Sequence, residues 1–130
     1  MTKLDPDLKA RWVTALRSGD YKQGMHYLKH NDEYCCLGVF CEIAEVDSMV
    51  LDGVTYFSGD RATLAYEVRQ EFGITEAEVF ITLTEKNVDT LRGMLDISYN
   101  ISAGEKIFLT TLNDHGASFD VIADLIEEHL

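Results

Sequence analysis

The stretch from Arg17 to Gly24 contains the residue types best suited to hold a small ligand. It offers two cations, an aromatic ring and an amide, carried by Arg17, Tyr21, Lys22 and Gln23. An arginine can grip a phosphate through two parallel hydrogen bonds, and a tyrosine ring can stack on a nucleobase. The flanking glycines would let the backbone approach a ligand. The stretch therefore predicts an anion site, unless its cations pair with the chain's own carboxylates.

A group of cysteines follows, with histidines just upstream, and these residues are His26, His30, Cys35, Cys36 and Cys41. Cys36 and Cys41 are too far apart on a predicted helix to share one face well. An odd number of cysteines, two of them adjacent, argues against a disulfide framework and favours a reducing compartment. We interpret the cysteines as buried core residues, with a metal site or a reactive thiol as the alternatives. No metal and no cofactor is predicted.

Catalytic patterns are not evident in the sequence. The chain has neither a glycine-rich phosphate loop nor a dinucleotide fingerprint. A nuclease or phosphodiesterase would need clustered carboxylates for metals or a poised histidine, and the acids form no diagnostic spacing. We therefore predict no catalytic residue, and an enzyme is the least favoured class.

Charge is strongly acidic and unevenly distributed. The net charge is −12, yet residues 1–30 hold six basic and three acidic residues, a net of +3, so the remaining residues carry −15. Such a balance argues against direct binding of nucleic acid, which needs cations to displace counterions from phosphates. The acidic part is either a solvated shell or a surface for a basic partner.

A first helix is predicted from its capping residues. Asp5 is placed as an N-cap, Pro6 stands at the first helical position, and Gly19 can end the helix in a left-handed conformation. Apolar periodicity predicts further helices that start at Cys36, span 62–72 with a stop at Gly73, and cover 88–95. A capping box at 75–78 indicates another helix or turn. A second capping box at 102–105 predicts a helix through Ile107, Phe108 and Leu112, and Ser118 is placed to cap the last helix.

Strands are predicted in two places. Residues 49–56 indicate a hairpin, since Asp52-Gly53 suits a two-residue type I′ turn, and residues 25–30 with 33–35 indicate a weaker one. The expected fold is therefore α+β but predominantly helical, with about six helices and one or two short hairpins in a single globular domain of residues 1–130. No apolar run is long enough for a membrane helix, and the charged start does not resemble a signal peptide.

The motif Asn113-Asp114-x-Gly116 separates the last two predicted helices. It resembles the connection of a helix–turn–helix motif. The helix that follows carries four acids and no lysine or arginine, whereas a recognition helix needs cations near the phosphates. A tight helical hairpin closed by Asn and Asp side chains is the preferred interpretation.

Two blocks of sequence, taken together, resemble a family of small, mostly uncharacterised proteins of tailed bacteriophages and prophages. The first block is residues 12–24 followed by residues 34–41 with Tyr-Cys-Cys-Leu-Gly, and the second is residues 112–119 followed by Ile122-Ala123. The resemblance implies a phage origin and a place in the host cytoplasm. Small accessory phage proteins often counter host defence, some by sequestering cyclic-nucleotide signals and others by binding a host protein.

Two functions follow as expectations. The first is a non-enzymatic binder that sequesters a small anionic ligand, such as a cyclic nucleotide, at the cations and aromatic ring of residues 17–24. Asn113 and Asp114 would join this site if the two blocks meet in space, and a homo-oligomer could complete it. The second is an acidic inhibitor of a host DNA-binding protein, in one form a mimic of DNA.

Overall fold

A computed structural model describes residues 4–72, 74, 79–96 and 100–130 of the chain. The described residues form six helices, which are α1 (Pro6–Arg17), α2 (Cys36–Ile43), α3 (Tyr66–Phe72), α4 (Glu85–Arg92), α5 (Leu109–Asp114) and α6 (Phe119–His129). They also form seven strands, which are β1 (Lys22–Gln23), β2 (Lys29–His30), β3 (Glu33–Tyr34), β4 (Ser48–Leu51), β5 (Val54–Phe57), β6 (Phe80–Thr82) and β7 (Lys106–Phe108).

Five of these strands form one mixed sheet, in the order β1-β3-β2-β5-β4. β1 and β3 run parallel, whereas the other neighbours are antiparallel. β6 and β7 form a separate antiparallel ribbon. The expectation of a predominantly helical fold with one or two hairpins is therefore wrong. Strands β1, β2 and β3 are two residues long, which is too short to show the alternation that identifies a strand in sequence.

A second correction concerns the segment after residues 102–105. The backbone N–H of Ser102 donates to the Glu105 carboxylate at 3.2 Å, which is half of a capping box. The chain then forms β7 rather than a helix, because Ile107 pairs with Ile81 of β6, and α5 begins only at Leu109. An apolar run of three residues fits either structure, so cross-strand pairing decides it.

Several local predictions are confirmed. The Asp5 side chain accepts the N–H of Leu8, and Ser118 caps α6 in the same way. Asp52 and Gly53 have φ angles of 51° and 81°, as a type I′ turn requires. Gly19 is left-handed just after α1. The helix expected over 62–72 begins only at Tyr66. Its predicted stop at Gly73, the capping box at 75–78 and residues 97–99 lie outside the described residues.

The core is built around α1, which packs against both α2 and α6. Trp12 is fully buried, its Nε1 donates to the carbonyl of Cys36 at 3.0 Å, and its ring meets Phe40 edge-on at 5.2 Å. Gly38 of α2 lies against the backbone of Leu28, where a Cβ would overlap the Leu28 carbonyl oxygen. Within the described residues, no helix has the length and apolar character needed to cross a membrane.

Candidate binding site

The two recognisable sequence blocks meet at a buried amide network between β1 and α5. Gln23 Nε2 donates to Asn113 Oδ1 at 2.9 Å and to the carbonyl of Ala117 at 2.8 Å. Asn113 Nδ2 donates in turn to the carbonyl of Gly24 at 2.8 Å. Asn113 is only 2 % exposed, so these bonds satisfy a side chain that would otherwise be costly to bury. Both amides are thus engaged within the protein.

Asp114 serves the neighbouring loop. Its Oδ1 accepts the backbone N–H of His26 at 3.1 Å, and its Oδ2 lies 3.6 Å from His26 Nδ1. His26 has a φ of 72°, a conformation that non-glycine residues rarely adopt. The carboxylate of Asp114 therefore holds a strained turn. The Asn-Asp pair bonds the backbone of Gly24 and His26, and not the backbone of the α5–α6 connection that the helical-hairpin interpretation expected it to close.

Arg17 points the other way, towards α6. Its guanidinium donates to Asp124 at 2.5 Å and to Glu127 at 3.3 Å. The hydrogen bond to Asp124, followed by that to Glu127, raises the pKa of Arg17. Lys22 also has an acidic partner, since its Nζ lies 3.4 Å from the Glu33 carboxylate on the adjacent strand. The cations of the predicted anion site thus pair with the chain's own acids.

Tyr21 lies in a third environment. Its ring packs edge-on against Tyr34 at 5.2 Å, and burial is the main cause that raises its pKa. It lines an open cleft of about 440 Å³ between α1 and α2, where Asp7, Arg11 and Asp20 also lie. Of the six predicted residues, the structure brings Gln23, Asn113 and Asp114 together and leaves Arg17, Tyr21 and Lys22 apart. The cleft beside Tyr21 is not lined by Gln23, Asn113 or Asp114.

The cysteines are buried, as interpreted from the sequence. Burial raises the pKa of Cys35 to about 11 and also raises the pKa values of Cys36 and Cys41, so the thiols stay neutral at physiological pH. Among the described residues, no group of three or more His, Cys, Asp or Glu side chains is placed to hold a metal ion. All three cysteines pack in the hydrophobic core.

Two further clefts flank α6. One, of about 350 Å³, separates α1 from α6 and is bordered by Lys9, Arg17 and Glu127. The other, of about 340 Å³, lies between α4 and α6 beside Asn87, whose Oδ1 is 2.8 Å from His129 Nε2. His129 and Asn87 are 42 positions apart in sequence, so no local pattern indicates their contact.

The surface that sequence reasoning missed most clearly is strand β4. Met49, Val50 and Leu51 are 60 %, 61 % and 54 % exposed, and the strand lies at the edge of the sheet. The hairpin itself was predicted. Three consecutive apolar residues normally indicate burial, however, so their exposure could not be inferred from the sequence.

The described residues form a small domain of six helices and a mixed sheet, in which the two most recognisable motifs contact each other, and the chain is strongly acidic. Residues 4–130 match a protein family described as "Domain of unknown function (DUF8296)", and the chain belongs to that family. Comparison with curated proteins and with solved structures gave no match.

Proposed function

We propose that this chain is a non-enzymatic binding protein that engages a basic protein partner through its acidic surface. One observation carries the proposal. The cations best placed for an anionic ligand, Arg17 and Lys22, are paired with Asp124, Glu127 and Glu33, whereas the excess of acids has no matching cations. A field of one sign favours and steers an oppositely charged partner.

The resemblance to phage proteins supplies the biological setting for this proposal. In that setting the chain acts in the host cytoplasm and inhibits a host protein that takes part in defence. A strict mimic of DNA is less well supported, because the exposed acids are dispersed over elements that face different ways. They include Asp7 on α1, Asp52 in the β4–β5 turn, Asp89 on α4 and Asp124 on α6.

The test is affinity capture of host proteins by the tagged chain, followed by binding of the purified candidate. We expect a basic partner that is retained at low salt and released at about 0.5 M NaCl, where screening shortens the reach of exposed charges to a few ångströms. A purified partner whose binding is indifferent to salt would contradict the proposal, as would a partner that is itself acidic.

The α1–α6 groove favours a second candidate, the sequestration of a small anionic ligand. Lys9 and Arg17 both border this groove, and Lys9 Nζ donates to the carbonyl of Glu127 at 3.3 Å. A phosphate that entered here would have to displace the Glu127 carboxylate from Arg17. The ligand class remains the expected one, a cyclic nucleotide, although the predicted contacts at Gln23, Asn113 and Asp114 are occupied by structural bonds.

Calorimetry with a panel of cyclic di- and trinucleotides tests this second candidate. If the groove is the site, Arg17→Ala abolishes the binding heat, whereas Lys22→Ala, which removes a cation outside the groove, preserves it. The absence of heat with every nucleotide, or equal losses from both variants, would rule out the groove as an anion site.

A further inference from the structure

Strand β4 has one hydrogen-bonding edge that no other described strand uses. Among the described strands it pairs with β5, in the register Leu51↔Val54, Val50↔Thr55 and Met49↔Tyr56. In a two-residue hairpin the residues flanking the turn form a hydrogen-bonded pair, and such pairs alternate along the ladder. The N–H and C=O groups of Ser48 and Val50 therefore point away from β5, towards the open side of the sheet.

The side chains of β4 are also uncovered, on both faces. Val50 shares a face with its neighbour Thr55 and with Phe57, which are 3 % and 1 % exposed, yet Val50 itself is 61 % exposed. Met49 and Leu51 project from the opposite face and are equally open. The buried face of the sheet thus continues onto β4, where the described residues leave it uncovered.

Nothing in the strand protects this edge in the usual way. Natural edge strands commonly carry lysine, proline or an inward charge that blocks pairing with another chain, and Ser48–Leu51 carries none of these. An uncovered apolar edge of this kind is the template used when an extended peptide adds a strand to a sheet.

The charge around β4 identifies the occupant. Residues 30–60 contain seven acids and no lysine or arginine, and Glu45, Asp47 and Asp52 stand exposed beside the strand. A second copy is disfavoured, because antiparallel self-pairing through the outward groups of Ser48 and Val50 brings Asp47 of one chain within one residue of the position opposite Asp52 of the other. Like charges at such short range repel each other. Lysine or arginine at these positions would be attracted.

We propose that β4 is a docking strand that pairs with an extended segment of a partner protein, apolar at its centre and flanked by lysine or arginine. This inference rests on the proposed function and names the part of the surface that performs it. Backbone hydrogen bonds to Ser48 and Val50 supply the register, apolar contacts extend the sheet's core, and Asp47 and Asp52 select basic flanks.

The experiment uses the whole chain and a labelled peptide of about eight residues, with valines at its centre and lysines at both ends. Glutamate–valine and proline-interrupted versions of the same length are the comparison peptides. The informative variant is Val50→Pro, which removes an outward N–H without removing a hydrogen bond to β5. Met25→Ser is the matched control, because Met25 is 55 % exposed but lies outside β4. Fluorescence anisotropy measures binding.

We expect the native chain to bind the lysine–valine peptide but neither comparison peptide. We expect Val50→Pro to weaken the affinity for this peptide about tenfold or more, and Met25→Ser to leave it nearly unchanged. If Val50→Pro does not fold, slower amide exchange at Ser48 and Val50 of the native chain on peptide addition supports the same conclusion. Equal binding by Val50→Pro, or unchanged exchange at these amides, overturns the docking strand. So does a native dimer that Val50→Pro converts to monomers, since the occupant is then a second copy.

The docking strand and the proposed function can fail separately. If Val50→Pro still captures a basic, salt-released host partner, the docking strand is wrong and the function stands. If the native chain binds the peptide at β4 while its purified host partner is indifferent to salt, the edge exists but the proposed function is wrong.

Discussion

Asn113 shows how a residue that looks functional can be needed for the fold. Its amide faces the Gln23 amide on one side and the Gly24 carbonyl on the other, and it is almost wholly buried. Because both the oxygen and the nitrogen of this buried amide are hydrogen-bonded to residues at β1, Asn113 fixes the position of β1 against α5. The recognisable Asn-Asp motif is therefore explained by a structural role.

We predict that Asn113→Ala lowers the free energy of unfolding by about 2–3 kcal/mol, because it deprives the buried Gly24 carbonyl of its donor and the Gln23 amide of one of its two acceptors. Chemical denaturation measures the change. Asp89→Ala, at an exposed position of α4, should change stability by less than about 0.5 kcal/mol. If Asn113→Ala kept full stability and lost nucleotide binding instead, Asn113 would belong to a ligand site.

The sequence identified Asn113 and Gln23 as special but not as partners. They are ninety positions apart. Residue types and their spacing in the sequence show which side chains can make strong hydrogen bonds. The atoms that accept those bonds depend on the fold. For the same reason the sequence indicated that Arg17 can form strong hydrogen bonds to anions, whereas its acceptors on α6 depend on the fold and could not be read from the sequence.

At the scale of elements, local chemistry was the part that could be predicted. The caps at Asp5 and Ser118 and the Asp52-Gly53 turn involve residues within a few positions of one another, and all three formed as expected. The five-stranded sheet depends on pairings such as Lys22↔Glu33 and His30↔Val54, which join two-residue segments. Such short strands have little propensity of their own and are defined by the neighbours with which they pair.

Helix α2 makes an unusually close contact that leads to a second prediction. Alanine normally stabilises a helix relative to glycine by about 0.5–1 kcal/mol. At Gly38 a Cβ would overlap the Leu28 carbonyl oxygen, which also accepts the N–H of Cys35, so α2 would have to move away from Leu28. We predict that Gly38→Ala destabilises the protein by about 3 kcal/mol or prevents folding.

Gly93 provides the control for this prediction. It follows α4 with an ordinary φ of −83°, and a Cβ there would meet no atom within 4 Å. Gly93→Ala should therefore be neutral or slightly stabilising in thermal unfolding. The close packing of α2 on Leu28 would be contradicted if the two alanine variants had the same melting temperature.

At the scale of the whole molecule, the dominant property is the net charge of −12. Exposed like charges repel one another in the compact state and are separated in the unfolded chain. A few ion pairs, among them Lys22–Glu33, oppose this repulsion locally, but acids outnumber basic residues by 23 to 11. Composition alone is enough to establish this balance, since it needs no knowledge of the fold.

We predict that raising NaCl from about 0.05 to 0.5 M increases the melting temperature by roughly 2–5 °C, because screening weakens the repulsion more than it weakens the few ion pairs. Differential scanning calorimetry measures the shift. A variant with Glu45, Asp47 and Asp52 changed to their amides should show a smaller rise. A melting temperature that falls with salt would mean that ion pairs outweigh the repulsion.

The packing of α1 against α6 affects the order in which parts of the chain can fold during synthesis. Arg17 and its partner Glu127 are separated by 110 positions. At a synthesis rate of about 5–20 residues per second, the face of α1 that meets α6 waits roughly 5–20 s for its partner to leave the ribosome. Trp12, by contrast, meets Cys36 after only 24 positions. The nascent chain can therefore assemble α1 with α2 early, but it remains a target for chaperones until α6 arrives.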